Sequence, residues 1–357
     1  MTQARRIGRK TRIVLFTALA LILILGIGIV WLARDDDAPV TFDEAMAKAK
    51  LGDPVGEYNV GVMYETGNGV ERNVDEAAKW YRRAADHGDS SAQNNLGTLY
   101  EDGTGVPQSA SEAVGWYRRS AAQDNASAWG NLGRAYEDGR GVPQDLAEAV
   151  RFYRLAAEHG SAKGQLFLGM MYDDGKGVPQ DYAEAAKWYR RAAEQDNPKA
   201  QNSLGYLYDV GHGVPQSDTD AFDWYRRAAE QGNANAQNNL GLMYENGQGV
   251  RKDDVEAVSW YRLAAEQGIA SSLFRLGLRY YSGGGVDHDP IAANALFGLA
   301  AAAGDTRAQA YLDQGAKLTA PADIEKAAKL KAAMSRPGKL LDALDHYEET
   351  AQRSDGG

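Results

Sequence analysis

Asn94-Asn95-Leu96-Gly97-Thr98-Leu99-Tyr100-Glu101-Asp102-Gly103-Thr104-Gly105-Val106 is one instance of a pattern that returns along most of the chain. Its central glycine recurs at Gly61, Gly97, Gly133, Gly169, Gly205, Gly241 and Gly277, each step 36 residues with no insertion. A strict period of this length signals stacked supersecondary units rather than one globular core. The expected fold is therefore all-α: an α/α superhelical solenoid of seven 36-residue helix-turn-helix repeats.

One unit, Asp89 to Asp124, shows how the pattern builds two helices. Asp89 is an N-cap candidate, matched by Asn125, Ser161, Asn197, Asn233 and Asp305. Ala92, Leu96, Leu99 and Tyr100 then fall at helical spacing and define a first helix, A. Gly97 sits beside that stripe, where the lack of a side chain permits close approach of a neighbour. Gly103 stops helix A as a left-handed residue. Ser109 opens a second helix, B, and its counterparts Asn73, Asp145, Asp181, Ser217, Asp253 and Asp289 are all capping types. Glu112 and its copies stand three residues on, so most of these starts read as capping boxes. Helix B carries Trp116 and Tyr117. The Trp returns at Trp80, Trp188, Trp224 and Trp260, and these large aromatics are expected to pack against the Gly and Ala of helix A. Gly88, Gly160, Gly232, Gly268 and Gly304 end helix B, with Asp124 and Asp196 standing in twice.

Outside the array, residues 42–52 read as a leading cap helix, 305–335 as closing helices and 336–357 as a polar tail with a short helix at 340–347. At the other end, Arg5, Arg6, Arg9, Lys10 and Arg12 precede an uncharged run of 21 residues, 13–33. As a helix that run is about 31 Å long, enough for a bilayer core. Asp35, Asp36 and Asp37 follow, within a linker over 35–41. The charge asymmetry predicts one transmembrane helix before the repeats, with residues 1–34 as cytoplasmic tail and anchor and the body in the periplasm. The competing reading is a cleaved signal peptide, against which stand the length of the run and the absence of a small residue three before Ala33.

The composition excludes several function classes. With no cysteine there are neither disulfides nor thiolate metal sites. The five histidines make no close pair in sequence. Net charge is −10, and the first 34 residues are purely basic, so the body is more acidic still. Nucleic acid is not an expected partner of such a surface. No cofactor, metal or catalytic residue is expected.

Leu96-Gly97-x-x-Tyr100-x-x-Gly103-x-Gly105-Val106, followed by Glu112-Ala113-x-x-Trp116-Tyr117-Arg118-x-x-Ala121, resembles the SEL-one-like repeat family, relatives of the tetratricopeptide repeats. The resemblance runs over residues 53–304. It implies an α/α superhelix, a protein-interaction role, and, in bacteria, a scaffold or adaptor of the cell envelope. A cysteine-rich subgroup is linked to β-lactam binding; this chain lacks the paired cysteines.

Three features are candidate sites. Glu65, Glu101, Glu137, Asp173, Asp209 and Glu245 form a carboxylate ladder in the last turn of helix A. Acids there oppose the helix dipole, so compensation is expected from the following loop or from Arg82, Arg118, Arg154, Arg190, Arg226 and Arg262 on helix B. The alternative is an acidic track for a basic partner or a divalent cation. His288, between Asp287 and Asp289, reads as a solvated loop residue rather than a ligand. The third feature is the face of helix A opposite its stripe, read through Tyr58/Val62, Asn94/Thr98, Gly130/Arg134, Leu166/Met170, Asn202/Tyr206, Asn238/Leu242 and Phe274/Leu278. Apolar pairs there suggest a concave groove with pockets at Leu166, Phe167, Met170 and Met171 and at Phe274 and Leu278, with Tyr206 between them. Asn59, Asn95, Asn131 and Asn239 are placed to hold the backbone of an extended peptide. The expected function is a non-enzymatic scaffold holding a protein or peptide in this groove. The alternative is a cell-wall or polysaccharide binder with hydrolytic activity.

Overall fold

The computed structural model describes residues 40–318 and 320–355, and every described element is a helix. There are eighteen: α1 (Phe42–Lys50), α2 (Pro54–Thr66), α3 (Val74–Asp86), α4 (Ser90–Asp102), α5 (Ala110–Ala121), α6 (Ala126–Asp138), α7 (Leu146–Glu158), α8 (Ala162–Asp174), α9 (Tyr182–Glu194), α10 (Pro198–Val210), α11 (Asp218–Glu230), α12 (Ala234–Asn246), α13 (Asp254–Glu266), α14 (Ala270–Ser282), α15 (Pro290–Ala302), α16 (Thr306–Leu318), α17 (Pro321–Met334) and α18 (Leu340–Asp355). From α2 to α15 they alternate as A and B helices in repeated helix–turn–helix units, which fits a solenoid of seven repeats.

Among the described residues no helix is long and apolar enough to cross a membrane. The longest, α18, has 16 residues, about 24 Å against a bilayer core of about 30 Å. The span expected over residues 13–33 lies outside the described residues. The expected single-pass placement in the inner membrane, with a periplasmic body, is corrected accordingly.

Local capping fixes the unit boundaries. The side chains of Asp89, Asn125, Ser161, Asn197 and Asn233 accept backbone N–H groups at the starts of their A helices. Ile269 replaces this residue before α14 and makes no such bond. Ser109, Asp145, Asp181, Ser217, Asp253 and Asp289 cap the B helices in the same way. The expected capping boxes are only half present. Glu148 turns to Arg151 and Glu184 to Lys187, one turn on, and the reciprocal bond of a full box forms at Thr41 and Glu44 of α1. Asp124 and Asp196 adopt φ of 59° and 58° where the other units use glycine, the left-handed turn that aspartate tolerates better than most side chains.

The chain divides into two compact units between Trp80 and Tyr81. In the first, Ala45, Ala49, Val60 and Met63 form a small core under Phe42, Met46 and Tyr64.

In the second unit, each hairpin closes where an aromatic ring on B lies against the central glycine of A, a tyrosine in five of them and Phe297 on Gly277 in the last. A methyl group at Gly133 would stand 2.5 Å from the Tyr153 ring, so only glycine fits. The expected partner was the tryptophan, and this is corrected: Tyr117, Tyr153, Tyr189, Tyr225 and Tyr261 fill that place and are almost fully buried. Trp116 turns the other way, between the guanidinium groups of Arg82 and Arg119. Successive hairpins are tied by buried glutamines. Gln165 donates to the Ala157 carbonyl of the preceding B helix, 3.2 Å, and accepts from Gln195 of its own, 2.7 Å. The same relay runs through Gln93/Gln123, Gln201/Gln231 and Gln237/Gln267. In the unit of α6 and α7 both registers change: Trp129 and His159 stand there, their rings tilted by 57° with centroids 4.5 Å apart.

The C-terminal part, expected as a polar tail with a short helix at 340–347, contains the longer α18. Its Leu340 and Leu344 are buried with Leu330 and Met334 of α17 in one cluster that includes Leu296 and Phe297. Arg262 pairs with Asp345, and Tyr280 donates to Glu348.

Candidate functional site

The carboxylate ladder is a set of acceptors for buried phenols. Tyr117 donates to Glu101 at 2.8 Å, Tyr153 to Glu137 at 2.6 Å, Tyr189 to Asp173 at 2.9 Å and Tyr261 to Glu245 at 2.5 Å. Tyr225 is bonded to Asp209 in the same way. Each phenol comes from the B helix of the same repeat. Burial, reinforced by the nearby carboxylate, pushes all five tyrosines well above the ordinary phenol range.

The pairing expected with the B-helix arginines is therefore corrected. Those guanidinium groups reach forward to the A helix of the next repeat: Arg82 to Tyr100, Arg118 to Tyr136 at 3.0 Å, Arg154 to Tyr172 at 2.8 Å, Arg190 to Tyr208 at 2.5 Å and Arg262 to Tyr280 at 3.0 Å. Arg226 instead pairs with Asp223, 3.2 Å.

Cations do reach two ladder members. Glu101 accepts from Arg134 at 2.8 Å and Arg140 at 3.4 Å. Glu245 accepts from Arg279 at 3.0 Å and Arg275 at 3.4 Å. Asp173 and Asp209, in the middle of the array, have no ion pair among the described residues, and partial burial raises their pKa above the ordinary aspartate value. Among the described residues no cluster of histidine and acid side chains is arranged to hold a metal. His288 stands in its loop, its Nδ1 2.7 Å from the Tyr281 carbonyl oxygen.

The A-helix face is narrower than its sequence pattern suggests. Leu166 is 4% exposed, Phe274 5% and Met171 1%, so the apolar pockets expected at these residues are corrected to core. Leu166 packs with Ala185, Tyr189 and Leu204; Phe274 packs against Phe297 and Tyr311. Phe167 and Leu278 are half-buried. The register that begins with Asn94 points along the row of A helices and packs on the next one. The register four residues later points outward, which leaves Met170 41% and Tyr206 48% exposed on α8 and α10.

The asparagines form a ladder between repeats. Asn131 donates to Asn94, 2.9 Å, and Asn239 to Asn202, 3.3 Å; Asn94 in turn donates to Asn95, 3.3 Å. Ser271 and Ser272 both donate to Asn238, each at 2.9 Å. The expected peptide-binding amides of Asn131 and Asn239 thus bond to the neighbouring helix. Asn59 is half-buried on α2. A cavity of about 400 Å³ that the sequence did not single out opens across α4, α6 and α8, beside Asn131 and Arg134. Its signal was available: Gly130 breaks a register otherwise filled by Tyr, Asn, Leu or Phe.

Comparison with known proteins follows this geometry. Seven Sel1 repeats match, at residues 54–89, 90–125, 130–161, 162–197, 198–233, 234–269 and 270–305. The chain is 35% identical to c5321, a protective antigen of uropathogenic Escherichia coli strains with an SLR fold; the match has a TM-score of 0.70 and covers 83% of this chain and 66% of that one. It is 33% identical to a Sel1 repeat protein from Oxalobacter formigenes, with a TM-score of 0.62, over 76% of this chain and 80% of that one. No curated protein matches.

Proposed function

The chain belongs to the Sel1 repeat family, and from that premise we propose that it is a non-enzymatic scaffold that holds a protein partner on its A-helix face. Proteins of this family are generally protein-interaction scaffolds. The observation that carries the reading is the exposure of Met170 and Tyr206 at the same register of neighbouring repeats, on α8 and α10, on a face where Asn94 is bonded to Asn131 and Asn202 to Asn239. A flexible thioether and an amphipathic ring suit contact with a peptide or an amphipathic helix. Asp173 and Asp209 lie one turn beyond them and favour a partner segment that brings a cation. A hydrolytic role is not favoured, because the carboxylates it would use are engaged by buried phenols.

Burying one large apolar side chain against a partner is worth about 1.5–3 kcal/mol. Met170→Asp with Tyr206→Asp is therefore expected to weaken a co-purified partner at least tenfold, with the thermal melt unchanged. Leu166→Asp is the contrasting variant and is expected to unfold its repeat. Unaltered capture by the Met170/Tyr206 double variant would remove this face from consideration.

A further inference from the structure

The cavity across α4, α6 and α8 owes its existence to one missing side chain. The register of Gly130 is filled elsewhere by Asn94, Leu166, Asn202, Asn238 and Phe274. A Cβ at Gly130 would meet nothing within 4 Å. The space left is about 400 Å³ and is lined by hydrophilic groups, among them Asn94, Ser127, Asn131, Arg134 and Lys163. That volume is at the small end of ligand sites and suits a chain end or a small molecule rather than a folded epitope.

Two cations meet here from successive A helices. Arg134 already has a carboxylate, Glu101, at 2.8 Å. Lys163 has none within ion-pair distance among the described residues; its ammonium stands 5.9 Å from the Phe167 ring. Partial desolvation, together with the charge of Arg134 and partly opposed by Glu101, pushes Lys163 below the ordinary lysine range, although the residue as a whole is exposed. Like charges gathered beside an open polar cavity are relieved by an anion. The lining holds Arg134 and Lys163 against the single carboxylate of Asp102. Glu101 takes up Arg134, so Lys163 is the cation here without an ion pair among the described residues, and a single ammonium suits a monoanion and disfavours a phosphate dianion.

We propose that this cavity binds a carboxylate group, held by Lys163 and Arg134 with Ser127 and Asn131 as neutral hydrogen-bonding partners. The inference rests on the reading of the A-helix face as the partner surface, and names one chemical group that surface recognises. The carboxylate is either the end of a polypeptide chain or a free small acid.

The test is a ¹H–¹⁵N titration of the full chain with three probes: acetyl-trialanine acid, its C-terminal amide, and sodium acetate. The acid is expected to shift the amides of residues 127–134 and 161–163 saturably, and the amide to shift none of them. Lys163→Met is expected to weaken the acid at least tenfold. Gly130→Asn, which installs the residue three other repeats carry at this register, is expected to abolish the shifts while leaving the rest of the spectrum in place. Acetate matching the acid in affinity would support the site and assign it to free small acids; weaker acetate would support it and assign it to chain ends. Equal shifts from acid and amide, no shifts from either, or an unchanged affinity in Lys163→Met would overturn the proposal. Shifts around Met170 and Tyr206 instead would overturn this site and leave the partner face standing.

Discussion

The unit of α6 and α7 and the unit of α14 and α15 share one backbone plan and differ in what joins their two helices. In the first, Glu137 accepts a hydrogen bond of 2.6 Å from Tyr153, a residue with no exposed surface. In the second, the same registers hold Tyr281 and Phe297. Both members have changed together. Either change alone would strand a group: a buried phenol without an acceptor, or a desolvated carboxylate without a donor. The pair is therefore one structural device, and along the inner repeats the carboxylates of the ladder serve as acceptors for buried phenols. Trp129 and His159 make the same point, since they replace both glutamines of the inter-repeat relay at once.

The largest consequence of this difference appears at high pH. Tyr117, Tyr153, Tyr189, Tyr225 and Tyr261 all have folded-state pKa values raised by burial first and their carboxylates second. Their stabilising contribution is complete below the unfolded value of about 10, and is lost as pH rises from there toward the folded values. Each phenol costs about 1.4 kcal/mol per pH unit in that window, so the five together remove about 7. Against a typical stability of about 5–15 kcal/mol, helix content is expected to collapse between pH ~10 and ~12, together with the rise of tyrosinate absorbance. Tyr153→Phe should reduce the slope by one phenol's share, about 1.4 kcal/mol per pH unit, whereas Phe297 already contributes nothing to it. Tyrosinate absorbance that rises near pH 10 while the helices stay intact would mean the phenols are not shielded as described.

A smaller effect tests the pairing directly. Phe297→Tyr would bury a hydroxyl opposite Tyr281 and is expected to cost about 1–3 kcal/mol. Adding Tyr281→Glu supplies the acceptor found in the inner repeats and is expected to recover most of that loss. Thermal or urea unfolding of the two single variants and the double variant gives the coupling. If the two effects simply add, the matched change at these registers is coincidence.

What the sequence made legible follows from how far each rule reaches along the chain. Asp89, Gly103 and Ser109 act on residues within one turn, so helix starts and stops could be read from single units. The alternation of helices followed from the period itself. The lattice joins residues 16, 18 and 30 apart, as in Tyr117–Glu101, Arg118–Tyr136 and Gln123–Gln93. Those contacts depend on how each hairpin rotates on its neighbour, which no local rule specifies. For the same reason Trp116 was given the place that Tyr117 occupies. On the A-helix face, a single stripe at 100° per residue treated the opposite side as free. In the repeats of the second unit the A helix also packs against the next A helix, which takes the register of Leu166 and Phe274 into the core and leaves Met170 and Tyr206 outside. The helix at Leu340–Asp355 was legible as a short one over 340–347, where Leu340 and Leu344 fall at helical spacing; its last turns are almost wholly polar, which gave no apolar period to follow.

The smallest expected effect separates two members of the ladder. Glu101 has cations within reach; Asp173 has the Tyr189 hydroxyl and no ion pair among the described residues. Partial burial raises the folded pKa of Asp173, and the bond from Tyr189 only partly offsets it. For a carboxylate raised in this way, the neutral form is the one the fold prefers. Its contribution is therefore complete below the unfolded value of about 3.9 and is lost as pH rises through the folded value. Asp173→Asn keeps an oxygen that can accept from Tyr189 and removes the titration. The variant is expected to gain on the parent between pH ~3 and ~7, by less than the roughly 1 kcal/mol that a single hydrogen bond contributes. Glu101→Gln is expected to lose stability at neutral pH, because it removes the anion that Arg134 and Arg140 face. Urea unfolding of both variants at the two ends of that pH range decides the matter. A loss of stability in Asp173→Asn at neutral pH would show that Asp173 is compensated as Glu101 is, and that the inner repeats are more alike than their charges suggest.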